Sequence, residues 1–137
     1  TAALVPLRHL FAHVGDSRAY IINSDGVRQL TRDHSLVQNL LDVGKLSPNE
    51  AKEHPYKNVI TRALGVDETV EADFCVESFS ESDALLICTD GLTNFVSTDD
   101  ILKSTADGKF YEFAERLVTA ANNNGGGDNI TAVVISH

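Results

Sequence analysis

The chain has 137 residues, enough for one domain with a buried core, and 42% hydrophobic with 23% charged residues is the balance of a globular protein rather than a disordered one. Its net charge of −9 argues against nucleic acid as a partner, which needs clustered Lys and Arg. Apolar runs such as Ala84-Leu85-Leu86-Ile87-Cys88 are far too short for a membrane span, and no secretion leader is legible, so the expectation is a cytoplasmic protein with no membrane segment.

The chain opens directly in Thr1-Ala2-Ala3-Leu4-Val5, with no capping or turn residue ahead, and contains no methionine. The expectation is a strand cut from its predecessor, in a single domain (1–137) truncated at its N-terminus. From 9 to 14 the residues alternate: His9, Phe11 and His13 share one side of a strand, and Leu10, Ala12 and Val14 the other. Gly15-Asp16-Ser17 is a turn, and residues 19–22 form a second strand. Ser24-Asp25-Gly26 signals a hairpin, with the returning strand at 27–30.

Helical signals follow. Ser35 caps a helix carrying Leu36, Val37, Leu40 and Leu41, with Gly44 as its stop. Ser47-Pro48-Asn49-Glu50 combines a capping serine, a proline at the first helical position and a glutamate at the third. Two short helices between strands read as an inserted lobe over 31–62.

Strands resume at 70–79 and 84–89, and Thr98-Asp99-Asp100 starts a short helix at Ile101. Phe110, Phe113, Ala114, Leu117, Val118 and Ala121 form one buried helical stripe, and residues 130–135 make the last strand. Hairpins outnumber strand–helix–strand crossovers, so the class is α+β with largely antiparallel sheets. Cys75 and Cys88 lack the close partner that a zinc site needs and read as small hydrophobes in a reduced protein.

Three aspartates share a setting. Asp16 ends a strand after Gly15, Asp90 ends the 85–89 run before Gly91, and Asp128 lies between Gly125-Gly126-Gly127 and the last strand. Each is a carboxylate at a strand end, beside glycine that permits close approach to a ligand. A single Asp-Gly pair, Asp25-Gly26 included, marks an ordinary turn. Three carboxylates at one end of a sheet would instead suit a hard divalent cation such as magnesium or manganese, which takes oxygen donors.

The runs Val14-Gly15-Asp16-Ser17-Arg18-Ala19-Tyr20, Thr31-Arg32-Asp33-His34-Ser35, Val59-Ile60-Thr61-Arg62-Ala63-Leu64-Gly65, Cys88-Thr89-Asp90-Gly91-Leu92 and Gly127-Asp128-Asn129-Ile130-Thr131 resemble, in order, the signatures of the PP2C (PPM) phosphatases, best their bacterial branch. The resemblance implies an αββα sandwich, two stacked antiparallel sheets flanked by helices, and metal-dependent hydrolysis of phosphoserine and phosphothreonine in proteins phosphorylated by a bacterial Ser/Thr kinase. It implies Asp90 and Asp128 as ligands of a two-metal Mn2+ or Mg2+ centre, with Asp16 at a weaker third position. Asn94 stands where some members carry a further aspartate for that third ion. The lobe at 31–62 would be the mobile flap beside the site.

One early stretch of the family, Asp-Gly-x-Gly-Gly-His, supplies another carboxylate and the proton-donating histidine, and an arginine before it grips phosphate. Neither is in this chain, and both are expected upstream of Thr1. His13, His34 and His54 do not match that context and read as structural. No catalytic residue separate from the metal ligands is therefore expected here, and the chain alone should be inactive. Two other sites fail on residues: a phosphoaspartyl phosphatase needs an acid where Leu92 stands, and no twelve-residue window has the acids of a calcium loop. The remaining rival is a degenerate phosphatase-like domain that binds a partner without turnover; retention of the three aspartates weighs against it.

Overall fold

The computed structural model describes residues 7–136, so the expected strand at residues 1–5 lies outside the described residues. β1 (Leu7–His13) pairs antiparallel with β4 (Asp73–Phe79) in a two-stranded sheet. β2 (Arg18–Asn23), β3 (Gly26–Gln29), β5 (Ala84–Cys88) and β6 (Ala132–Ser136) form a four-stranded antiparallel sheet in the order β3-β2-β5-β6. The hairpin turns over two residues, because Asn23 pairs with Gly26.

Alternation along the strands separates two cores. Tyr20, Ile22, Leu86 and Cys88 face one way and pack on the helices through Leu92, Val96, Ile101, Leu117 and Ala121. Ala19, Ile21 and Leu85 face the other way, toward Phe79 and Phe11 of the two-stranded sheet. The layers are thus helices, four-stranded sheet, two-stranded sheet. On the outer face of the two-stranded sheet, Leu10, Phe74 and Val76 are exposed.

The helices on the first core are α3 (Asp90–Thr93), α4 (Thr98–Ala106) and α5 (Phe113–Asn123). α4 begins three residues before the expected Ile101. Ser97, not Thr98, caps it, accepting the Asp100 N–H while the Asp100 carboxylate accepts from Ser97. The stripe from Phe110 is split, with a 3-10 turn over Phe110–Glu112 ahead of α5.

α1 (Leu36–Asp42) and α2 (Pro48–Glu53) occupy the lobe between β3 and β4, with their caps at Ser35 and Ser47. Asp33, His34, Ser35 and Val37 are buried at its root. Three strands are shorter than expected, β5 by the single residue Thr89. Residues 70–72 stay irregular because β1 ends at His13, opposite Asp73, and β6 starts at Ala132, opposite Cys88, after which β5 turns into α3.

Candidate metal centre at the sheet end

The register brings the three aspartates to one end of the four-stranded sheet. Arg18 pairs with Cys88, and Cys88 with Ala132. Asp16 lies two residues before Arg18 and Asp90 two residues after Cys88, so the antiparallel geometry sets them opposite each other. Asp128 enters from the loop ahead of β6.

Asp16 sits in the turn that carries the chain from the two-stranded to the four-stranded sheet. Gly15 has φ +111°, a backbone state that side chains resist, and this swings the chain between sheets. Partial burial, then the negative charge of Asp90, raises the Asp16 carboxyl above its ordinary range. Arg18 counters this only weakly, because its guanidinium is engaged elsewhere: Nε lies 2.9 and 3.0 Å from the two Asp33 oxygens and Nη2 2.6 Å from Oδ2.

Asp90 is the first residue of α3, a single turn. The next residue, Gly91, is buried against the Asp128 loop: a Cβ there would stand 2.2 Å from the Asn129 carbonyl oxygen and 3.5 Å from the Asp128 Cβ. Thr89 stitches the same two segments. Its N–H donates to the Thr131 carbonyl, while its hydroxyl accepts from the Thr131 N–H and donates to the Asn129 carbonyl. Asn94 donates its amide to Asp90 Oδ2 at 3.4 Å. Asp128 is exposed, and its Oδ1 accepts the Asn129 N–H at 2.7 Å.

Juxtaposition is not a finished cage. Among the described residues, no three His, Cys, Asp or Glu side chains come close enough to hold an ion together. The donor set, carboxylates with an amide beside them, nonetheless suits a hard divalent cation, and the mutual repulsion of Asp16 and Asp90 is what a cation would relieve.

Sequence reasoning missed the polar anchor behind this site. The bidentate Arg18–Asp33 pair spans 15 residues, and Asp33 is 6% exposed. His34 is 2% exposed, takes the Gly15 N–H on Nδ1 at 3.0 Å and lies 3.1 Å from Asp73 Oδ2 through Nε2. Hydrogen bonds from His34 and then Arg62 pull the Asp73 carboxyl down to about 2. Three members of the run Thr31-Arg32-Asp33-His34-Ser35, namely Asp33, His34 and Ser35, are buried, which the polar identity of these residues did not reveal. Cys88 is buried, its thiol pushed up to about 12 by burial, and neither it nor Cys75 is in a disulfide.

Comparison with known proteins bears on the same residues. The family described as protein phosphatase 2C matches residues 1–39. Serine/threonine phosphatase stp of Listeria innocua is 48% identical over 129 residues, 92% of this chain and 50% of that protein. The structure of the S. agalactiae serine/threonine phosphatase is similar with a TM-score of 0.88 at 42% identity, over 95% of this chain and 55% of that one. The catalytic domain of serine threonine protein phosphatase PstP, in complex with 2 manganese ions, gives a TM-score of 0.83 at 35% identity, over 96% of this chain and 54% of that one. The chain spans about half the length of the curated relatives it matches. Among the described residues, no helix is long and apolar enough to cross a membrane.

Proposed function

We propose that the chain is part of a protein phosphatase 2C and supplies one part of the active site of a metal-dependent protein serine/threonine phosphatase. The observation that carries the reading is that Asp16, Asp90 and Asp128 lie at the same sheet end, in a chain similar over nearly its whole length to bacterial serine/threonine phosphatases. Asp90 and Asp128 would hold paired Mn2+ or Mg2+ ions, and Asp16 a weaker third. When bound, such ions stabilise phosphoryl charge and acidify a water for in-line attack at phosphorus.

The chain's own residues supply placement. Gly91 lets the Asp90 and Asp128 segments touch, and Thr89 fixes their separation. Asn94 orients the Asp90 carboxylate. The further carboxylate, the proton donor and the phosphate-gripping arginine come from residues outside this chain. The lobe at 31–62, a mobile flap, would meet phosphorylated proteins, the products of a bacterial Ser/Thr kinase in the cytoplasm.

The test uses the full-length protein with manganese or magnesium and phosphoserine or phosphothreonine peptides. Asp90→Ala should lower turnover by more than about 100-fold, and Asp128→Ala nearly as much. No phosphoenzyme should accumulate, because no activated Cys, His or Asp nucleophile stands in a suitable motif. Wild-type turnover in Asp90→Ala, or a trapped phosphoenzyme, overturns the reading.

A further inference from the structure

Two histidines meet behind the Asp16 turn, with ring centroids 4.9 Å apart. His13 lies 2.8 Å through Nε2 from the Ser17 carbonyl, on the far side of Asp16. His34 holds the near side twice: Gly15 N–H donates to Nδ1 at 3.0 Å, and the His34 N–H donates to the Gly15 carbonyl at 2.8 Å. Asp16 is thus bracketed at both neighbours by imidazoles that do not touch it.

A backbone N–H only donates, so toward Gly15 the Nδ1 of His34 acts as the acceptor, and Nε2 is the ring nitrogen that faces Asp73. Nε2 lies 3.1 Å from Asp73 Oδ2 and 2.9 Å from Arg62 Nη1. The Asp73 carboxylate bridges the two side chains, taking Arg62 Nη1 on Oδ1 at 2.7 Å. The His34 ring is therefore held from behind by β4 and by the segment leaving the lobe, and from the front by the turn.

We propose that His34, seconded by His13, is a positioning residue that sets where the Asp16 carboxylate stands at the sheet end. The link to cation binding rests on the reading of Asp16 given above; the placement of the turn does not. A hydrogen-bond partner that fixes a ligand's backbone acts on affinity without touching the ion.

Two near-isosteres separate the halves of the ring. In His34→Asn the amide oxygen can replace Nδ1 and keep the Gly15 bond. In His34→Gln the amide reaches the Nε2 position and leaves Gly15 without its partner. In the full-length protein, amide exchange at Gly15, measured by NMR against the Leu86 amide of β5 as a reference for global opening, should rise roughly tenfold in His34→Gln and stay within about twofold in His34→Asn. Asp73→Ala, which removes the partner of Nε2 and leaves the Gly15 bond in place, should give an intermediate rise of about threefold.

Manganese titration followed by electron paramagnetic resonance should show the weakest ion bound roughly tenfold less tightly in His34→Gln, with His34→Asn near wild type. Equal Gly15 exchange in His34→Asn and His34→Gln, or no rise in His34→Gln, overturns the proposal. So does a weakest ion lost in Asp16→Ala but unaffected in His34→Gln. If the exchange pattern holds while Asp16→Ala leaves the titration unchanged, the clamp stands and the cation role of Asp16 falls.

Discussion

The two faces of the four-stranded sheet are filled very differently. Toward the helices, Tyr20, Ile22, Leu86 and Cys88 are all buried, closed over by Leu92, Ile101 and Leu117. Toward the two-stranded sheet, Ala19, Ile21 and Leu85 are covered, yet Ile87, Val133 and Ile135 remain 39%, 47% and 50% exposed. Strand spacing accounts for the difference, since two strands span roughly 10 Å and four span roughly 19 Å. β1 and β4 therefore cover the β2 side and leave the β6 side open. A separate open cleft of about 460 Å³ lies by the turn that carries Asp16, between β1 and the start of β2, lined in part by Phe11, Val14, Arg18 and Ile87. The cohesion of the chain resides on the helix side. The three aspartates sit at the strand ends where the well-packed face and the open face share a border.

That contrast can be broken by substitution. Leu86→Ala on the closed face should cost about 3 kcal/mol in urea denaturation, because its side chain has no route to solvent and its neighbours are fixed by two helices. A loss below about 1 kcal/mol would mean that the helix side is loosely packed. Gly91→Ala at the border should cost about 2 kcal/mol, since the new methyl meets backbone that cannot swing aside. It should also weaken manganese binding in the full-length protein by parting Asp90 from Asp128. Unchanged stability and binding would show that the two segments give way freely. Phe74→Ser on the outer face of β4 should change the stability of this chain by less than about 0.5 kcal/mol. The same substitution should reduce binding of a hydrophobic dye. A loss equal to that of Leu86→Ala would erase the distinction between the faces.

Much of the fold was legible because its signals are periodic or local. Phe11 and Leu10 lie on opposite sides of β1 as alternation requires, and the Ser47–Glu50 capping box formed as written. α3 escaped because four residues are too few to show a period. The start of α4 was misplaced because Ser97, Thr98, Asp99 and Asp100 are all capping types, and only packing decides among them. Residues 70–72 have strand character but no partner past His13. At the site, the three aspartates could be named from strand ends and glycines, and their common location follows from strand order. The role of His34 could not be read, because its partner is the backbone of Gly15, which leaves no trace in residue identity.

The seam between Gly91 and Asn129 has a consequence for anyone who would transplant this site. Asp90 and Asp128 are 38 positions apart, yet neither is placed by its own strand alone. Thr89 fastens one segment to the other, Asn124 donates its amide to the Phe95 carbonyl, and the Phe95 ring lies against Gly125 and Gly127. Grafting the two carboxylates onto a new scaffold would reproduce the letters and lose the spacing. The portable unit is a two-part cassette, residues 89–95 with residues 124–131, carried over whole with its glycines.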